Sequence, residues 1–111
     1  MDLQSKKYLD DILNAIILIE EFTVGVSSFD SYTSDRKTAS AVERQLGIIG
    51  EAANKFAKQD RNNILENSVL IIGLRNRIIH AYDSVDDSLI WAIIIKYLPL
   101  LKSEVITKLE L

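Results

Sequence analysis

The 111-residue sequence contains no cysteine, a single proline and only four glycines. The absence of cysteine excludes disulfide scaffolds, zinc–thiolate sites, iron–sulfur ligation and cysteine nucleophiles, and it is typical of a reducing compartment. Scarce proline and glycine, with no Asn-Gly or Asp-Gly pair, argue against β-hairpins. The one histidine cannot by itself supply a three-ligand zinc site, although carboxylates could add ligands.

The sequence also has fewer basic than acidic residues, and it contains no long apolar run. Lys plus Arg number 13 against 16 for Asp plus Glu, a net charge of −3, which argues against a broad basic face for coating nucleic acid. The longest apolar run, Ile90 to Ile95, is far shorter than the roughly 18 residues of a membrane span. The N-terminal residues lack the plan of a secretory signal. We therefore expect a cytoplasmic, soluble protein with one domain over residues 1–111 and no contact with a membrane.

Helical periodicity dominates what is present. Apolar residues recur at spacings of three and four, which predicts four helices. A polar loop from Gly25 to about Ser34 follows the first helix, Ser34 or Asp35 caps the second, and Ser84 or Asp86 in the turn Asp83–Asp87 caps the last. Because the connections are short, the sequence predicts an all-α, up-down antiparallel four-helix bundle. The first three predicted helices span about Ser5–Val24, Asp35–Lys58 and Leu65–Tyr82. The fourth follows Asp87 and is predicted to kink at Pro99.

The predicted last helix is apolar nearly all round, because Ile90 to Ile95 leave no solvent face. A bundle of four helices has no central position that would bury such a helix completely. Pairing of two copies about a two-fold axis buries the surplus face, so we expect a homodimer.

The residues that carry chemistry lie between Gly73 and Asp83. At about 100° per residue, Tyr82 falls on the same helical face as Arg75, and Asn76 and His80 form an i,i+4 pair on an adjoining face. Arg75 lies at the edge of the core and needs a partner for its charge. Glu51 is the expected partner, since it interrupts an apolar run of the second helix.

Each of these residues also has a purely structural interpretation. An Arg75–Glu51 pair can simply fix helix register, a lone histidine near a helix end is more often packed or capping, and Tyr82 alone is most often a core-edge aromatic. The occurrence of one histidine, two arginines, an asparagine and a tyrosine within eight residues favours a catalytic site over a purely structural role. Phosphate-binding glycine loops are absent, whereas RNA cleavage remains open, because the attacking 2′-hydroxyl belongs to the substrate and the protein need only move protons and stabilise charge.

This segment resembles the HepT-like HEPN family. Arg75-x4-His80-x-Tyr82, with Asn76 after the arginine, matches the family's R-x(4)-H-x-Y motif. Ser68 and Val69 depart from the Pro-Trp pair with which relatives often begin the third helix. Further strings with the family's order and spacing cover almost the whole chain: Phe29-x5-Asp35, Ala41-Val42-x-Arg44, Ile48–Ala53, Gly73–Tyr82, Val85-Asp86, Ile90-Trp91 and Leu98-Pro99.

The resemblance implies a homodimeric, metal-independent endoribonuclease without cofactor, acting as the toxin of a toxin–antitoxin pair. It further implies an antitoxin partner of the MntA type, a minimal nucleotidyltransferase that transfers AMP to the motif tyrosine, here Tyr82. We assign His80 as general acid/base, Arg75 as phosphate ligand, Asn76 as a positioning residue and Arg77 as a weaker candidate for RNA contact. The alternative is a non-catalytic HEPN module that binds a nucleotidyltransferase and presents substrate to it.

Overall fold

The computed structural model describes residues 1–80 and 86–110, with the backbone alone described for residues 76–80. No strand occurs in these two ranges, so the all-α class expected from the sequence is confirmed. The elements are α1 (Leu3–Phe22), α2 (Phe29–Ser34), α3 (Arg36–Gln59), a 3₁₀ turn (Glu66–Ser68), α4 (Val69–His80), α5 (Asp87–Ala92), a π-helical stretch (Ile93–Tyr97) and α6 (Leu98–Glu110).

Aspartates begin three of the helices. The carboxylates of Asp2, Asp35 and Asp86 accept hydrogen bonds from the backbone N–H groups of the first turns of α1, α3 and α5. A side chain in this position satisfies a donor that the helix itself leaves unpaired. Hydrogen bonds from Ser5, Thr38 and Ser88 hold the pKa values of these three carboxyls below the usual 3.8. Of the capping residues expected from the sequence, Asp35 and Asp86 are the ones that cap α3 and α5.

The segment predicted as a polar loop contains a helix, α2, and this part of the prediction was wrong. Ser28 and Ser31 form a reciprocal capping box, with each hydroxyl accepting from the other residue's backbone N–H at 3.1 and 3.2 Å. Tyr32 is fully buried and anchors the helix to the core, where its ring lies 5.6 Å from that of Trp91. The serines and aspartates that indicated a loop therefore cap and solvate one short helix.

The long helices run antiparallel. Gln59 at the end of α3 donates to Asp2 at the start of α1 over 3.0 Å, and Lys102 of α6 pairs with Glu20 near the end of α1 at 3.0 Å. α3 packs against both α1 and α4, and α6 packs against α1. With α5, the π-helical stretch and α6 forming one continuous element, four long helices make up the bundle, as expected, and α2 is an addition to it.

The core consists of the apolar stripes that periodicity indicates. On α3 the apolar residues at spacings of three and four are all buried, namely Val42, Leu46, Ile49, Ala53 and Phe56. The corresponding residues of α1 are buried at Ile12, Ala15, Ile16 and Ile19, and the two aromatic residues at the ends of this row, Tyr8 and Phe22, are partly exposed.

The third long helix begins later than the predicted Leu65. A 3₁₀ turn precedes α4, and the Glu104 carboxylate of α6 accepts the backbone N–H groups of Glu66 and Asn67 at 2.7 and 3.1 Å. An acidic side chain from another helix thus satisfies donors at the start of this segment. The predicted end at Tyr82 lies outside the described residues.

The irregularity expected at Pro99 takes the form of a wider helical turn. The π-helical stretch ends immediately before this region, and the Leu98 N–H donates to the Ile93 carbonyl five residues back. Proline lacks an N–H and its ring collides with the carbonyl four residues earlier in a regular α-helix. A π turn loosens the spacing at the point where this conflict arises, so the helix continues through Pro99 to Glu110. No helix in the described part of the chain is long and apolar enough to span a membrane.

Candidate active site

The motif residues lie on α4, whose backbone is helical from Val69 to His80. Arg75, Asn76 and His80 therefore share one rigid element, and in helical geometry Asn76 and His80 are neighbours one turn apart. His80 is the last residue of this helix, as far as the described residues extend. Asn76, Arg77 and His80 are placed here by their backbone alone, and Tyr82 lies outside the described residues, as do Asp83 and Ser84 of the predicted turn.

Arg75 is the motif side chain that the structure describes, and it forms an ion pair with Glu51. Its Nη1 donates to Glu51 Oε2, joining α4 to α3. The guanidinium side chain is 24% exposed, so it is partly withdrawn from water without being sealed off. This pairing is the one expected from the sequence. The part played by Arg75 in a reaction stays a prediction.

Glu51 serves two cations at once. Its second oxygen, Oε1, lies 3.6 Å from Lys55 Nζ, one turn further along α3. Arg75, Glu51 and Lys55 together carry a net charge of +1, and the Arg75 side chain is partly removed from water. Arginine presents five N–H donors in a planar fork, and the hydrogen bond to Glu51 uses a donor of Nη1. The remaining donors suit a second anion with the geometry of a phosphate.

Gly50 fixes how closely α3 approaches the motif helix. A Cβ at this position would lie 2.9 Å from both the Arg75 Cβ and the Ile71 carbonyl oxygen. Real Cβ contacts are essentially never that short, so only glycine permits this helix spacing. The close approach at Gly50 brings Glu51, the next residue, to Arg75.

A groove lies between α1 and α3, and Glu51 is one of the residues that line it. We call it the α1–α3 groove; its volume is about 830 Å³. Its lining includes three cations, three acids and one aromatic ring: Lys7, Arg44, Lys55, Asp11, Glu43, Glu51 and Tyr8. Sequence reasoning missed this feature. The signal was present on α3 as a row of residues at i, i+4, i+7 and i+8, in which two polar residues and a glycine replace the apolar side chains of a core stripe: Ser40, Arg44, Gly47 and Ile48.

Glu43, which lines this groove, is also influenced by charged residues outside it. Burial raises the pKa of the Glu43 carboxyl above its usual 4.5, the charge of Asp87 adds to the shift, and Arg36 opposes it. Burial likewise raises the pKa of the Tyr32 hydroxyl, with Glu43 and Asp87 contributing. The Tyr32 hydroxyl has no hydrogen-bond partner among the described residues. This region links α2, α3 and the start of α5 through electrostatics.

The described residues contain no group of three or more His, Asp or Glu side chains arranged to hold a metal ion. What the described part of the site offers instead is a partly desolvated arginine with a carboxylate partner. Such a group is suited to binding a phosphate and stabilising negative charge that develops on it.

Comparisons with known proteins agree on one family. The model of a family described as "Ribonuclease HepT-like" matches residues 12–107. A Thermococcus cleftensis protein named "Probable ribonuclease HepT" is 38% identical over 100 residues, which cover 89% of this chain and 90% of the relative. A Methanocaldococcus jannaschii protein with an RNase name is 33% identical over 102 residues, covering 90% and 92% of the two chains. No solved structure matches this chain significantly.

Proposed function

The chain belongs to the HepT-like ribonuclease family, and we propose that it is a metal-independent endoribonuclease that acts as the toxin of a toxin–antitoxin pair. The observation that carries this proposal is the ion pair between Arg75 of the motif helix and Glu51 of α3, which together with Lys55 carry a net positive charge. A carboxylate keeps the arginine in place and an incoming phosphate takes up its unused donors. RNA is the substrate class that both this geometry and the relatives' names support.

In the proposed reaction the substrate supplies the nucleophile. The 2′-hydroxyl next to the scissile phosphate loses its proton to a base and attacks phosphorus, and the 5′-oxygen of the following nucleotide leaves with a proton. His80 is the group for proton transfer, Arg75 stabilises the charged phosphorane, and Asn76 positions the phosphate. Arg77 remains a weaker candidate for contact with the RNA strand. The products are a 2′,3′-cyclic phosphate end and a free 5′-hydroxyl end.

We also propose that two copies form the working enzyme. The reaction needs a base and an acid, and each chain has one histidine. A two-fold axis would bring together two copies of His80 and four arginines, Arg75 and Arg77 from each chain, in one cleft of an acidic protein. On this proposal residues 1–111 form one domain per subunit, and the enzyme acts on RNA in the cytoplasm.

The nuclease proposal is tested by incubating purified wild-type protein with RNA in EDTA. We expect cleavage that persists without divalent metal and leaves cyclic phosphate ends. His80→Ala is expected to reduce the rate by about 10²–10⁴-fold, because that is the usual value of general acid–base catalysis. Arg75→Lys should also be impaired, since a point charge replaces the planar donor fork. Cleavage that stops in EDTA, or an equally active His80→Ala protein, contradicts the proposed chemistry. A wild-type protein that binds RNA or a nucleotidyltransferase but cleaves no RNA favours the non-catalytic binding module.

We further propose that a nucleotidyltransferase antitoxin neutralises the chain by transferring AMP to Tyr82. Two turns of helix, roughly 10 Å, separate Tyr82 from Arg75 on one predicted face. The phosphate of a tethered adenylyl group is an anion that competes with RNA phosphate for the arginine. Co-expression with the partner should add the mass of AMP and abolish cleavage, whereas Tyr82→Phe should stay active and escape. Neutralisation without added mass argues against this mechanism.

A further inference from the structure

The exposed side of α3 carries a row of charged side chains that begins at the proposed reaction site. Glu51, Lys55 and Lys58 follow one another at i, i+4 and i+7, so they lie on one side of the helix. Glu51 contacts both Arg75 and Lys55, so observed ion pairs join the row to the motif helix. From Glu51 to Lys58 the row extends roughly 10 Å along α3. We call its two cations, Lys55 and Lys58, the lysine ridge.

Both lysines of the ridge are accessible to a ligand. The Lys55 side chain is 52% exposed, and its Nζ lies 3.6 Å from Glu51 Oε1, a contact longer than a hydrogen bond. Lys58 is exposed and forms no ion pair within the described residues. Because an ammonium group has three donors, each lysine can bind an anion without giving up a strong contact within the protein.

The last turns of α3 are cationic, although the chain as a whole is acidic. Residues 54–59 include the two lysines of the ridge and no carboxylate. The negative end of the helix dipole, about half an elementary charge, offsets only part of their charge. Toward the other end of α3, Arg44 follows Glu43, on which the charge of Asp87 also acts. An anion that extends from Arg75 therefore gains more by following α3 toward its C-terminus.

The spacing of these cations suits neighbouring phosphates of one RNA strand. Arg75 and Lys55 contact the two oxygens of one carboxylate, so two ion-pair contacts and the width of that carboxylate keep their charged nitrogens within roughly 10 Å. Lys58 lies about 4.5 Å beyond Lys55 along the helix axis. A nucleic-acid strand carries one charge per nucleotide, every ~3.4 Å along the axis of a duplex and farther apart when extended. The phosphates next to one held at Arg75 therefore come within reach of the ridge.

We propose that the lysine ridge binds the phosphates that neighbour the scissile one, so that the RNA strand runs from Arg75 along the last two turns of α3. This inference rests on the proposed function and adds a subsite that the motif residues do not supply. Contacts to phosphate hold the strand and read no base, so the ridge contributes affinity and not sequence preference. RNA suits the ridge better than an acidic protein, because it presents one phosphate per nucleotide to successive cations.

The salt dependence of RNA binding measures these contacts without requiring catalysis. The probe is a fluorescent RNA oligonucleotide with a methyl group on every 2′-oxygen, which cannot be cleaved because it lacks the attacking hydroxyl. Its anisotropy is followed as the whole protein is added at several salt concentrations. Each phosphate contact on a single strand contributes about 0.7 to the slope of log K against log salt. Lys55→Ala and Lys58→Ala should each reduce the slope by about this amount and weaken binding about 5-fold at 0.1 M salt.

Two further variants and a short substrate assign the effect to the ridge. Lys37→Ala is the matched control, because Lys37 is an exposed lysine of the same helix, about 27 Å from Lys55 along the axis, and it should keep the wild-type slope. Lys58→Arg keeps the charge and should keep the affinity. A dinucleoside monophosphate has no neighbouring phosphate, so Lys58→Ala should raise KM for a long RNA about 5-fold more than KM for this substrate.

The outcomes distinguish this inference from the function on which it rests. If wild type cleaves RNA but Lys55→Ala and Lys58→Ala bind the oligonucleotide with the wild-type affinity and slope, the inference is wrong while the proposed function stands. It is also wrong if Lys37→Ala reduces the slope equally, because the effect then reflects net charge. Ridge variants that bind RNA normally but escape the nucleotidyltransferase assign the ridge to a protein partner and contradict the inference. A wild-type protein that cleaves no RNA overturns the proposed function and this inference with it.

Discussion

At the scale of single residues, Arg75 combines partial burial with a permanent positive charge, and Glu51 supplies the anion that this combination requires. The helical pattern of α4 places this arginine at the edge of the core, and an arginine there needs an anion. Glu51 interrupts an otherwise apolar run on α3, so the sequence alone indicates the partner, and the structure contains the pair. The second cation at Glu51, Lys55, follows from i,i+4 spacing on the same helix.

Glu43 shows what the sequence cannot indicate at this scale. The pKa of its carboxyl is raised by burial and by the charge of Asp87, which is 44 positions away in the sequence, and no local pattern reveals that Asp87 acts on Glu43. Tyr32 joins the same region only because α2 folds over α3. Placement of this kind depends on tertiary packing, which periodicity does not encode.

The raised pKa of Glu43 predicts a pH-dependent effect on stability. The unfolded chain releases the Glu43 proton near the usual pKa of 4.5, whereas the folded chain retains it to higher pH. The folded state is therefore favoured by this group at low pH, and the contribution is lost as the pH rises through the raised pKa. Glu43→Gln stays neutral throughout, so the variant should gain melting temperature relative to wild type at pH 7 and not at pH 4.

Thermal melts at the two pH values measure this difference. Glu21→Gln is the control, because Glu21 is an exposed glutamate on α1 and the substitution makes the same change in net charge. A gain shared by both variants would reflect the net charge of the protein and not the buried position. Equal melting temperatures of Glu43→Gln and wild type at pH 7 contradict the expected shift.

At the scale of elements, the sequence predicts the long helices well and the short or irregular ones poorly. The apolar stripes of α1 and α3 extend over several turns, so periodicity reports them reliably. α2 has only six residues, and its stability comes from a capping box and one buried tyrosine, which composition presents as a loop. The π-helical stretch before Pro99 likewise depends on a steric conflict between the proline ring and the backbone carbonyl four residues earlier. A hydrophobic pattern does not predict how the backbone relieves this conflict.

The contact between α3 and α4 predicts opposite effects for two glycine substitutions. Gly50→Ala places a methyl group 2.9 Å from Arg75 Cβ and the Ile71 carbonyl oxygen, so the helices must separate, at a cost of about 1–3 kcal/mol. Gly73→Ala adds the same methyl group to α4 with nothing within 4 Å. Alanine is the better helix former, so Gly73→Ala should stabilise the protein by about 0.5–1 kcal/mol.

Urea denaturation of the two variants and wild type gives these free energies of unfolding. RNA cleavage adds a second measurement, because separation of α3 from α4 also moves Glu51 relative to Arg75. Gly50→Ala should therefore lose activity under conditions in which it is still folded. A Gly50→Ala protein as stable as wild type would mean that the two helices do not pack as closely as described.

At the scale of the whole molecule, the last long element exposes apolar side chains that the isolated subunit does not cover. Ile95 is 58% exposed and Leu100 50% exposed, although the element is apolar nearly all round. The sequence predicts this surplus, because a bundle of four helices cannot bury one of them on every side. It does not indicate which residues form the surface, since that depends on how α6 rotates against α1.

The exposed apolar surface predicts that Ile95→Glu converts a homodimer into monomers. A charge placed at the centre of an apolar interface loses its hydration without gaining a partner, which commonly costs several kcal/mol. Ile64→Glu is the matched control, because Ile64 is 59% exposed and lies outside the last helix. Sedimentation at micromolar concentration should show wild type and Ile64→Glu as dimers and Ile95→Glu as monomers.

Activity then tests whether the dimer matters for the proposed chemistry. A monomer has one histidine for a reaction that needs both a base and an acid, so Ile95→Glu should lose cleavage while its helical content stays unchanged. Raising the protein concentration should restore part of the activity, since mass action favours the dimer. If Ile95→Glu sediments as a monomer and cleaves RNA at the wild-type rate, one chain suffices and the two-fold site is wrong. If wild type itself is a monomer, the exposed apolar surface of the last helix serves another partner.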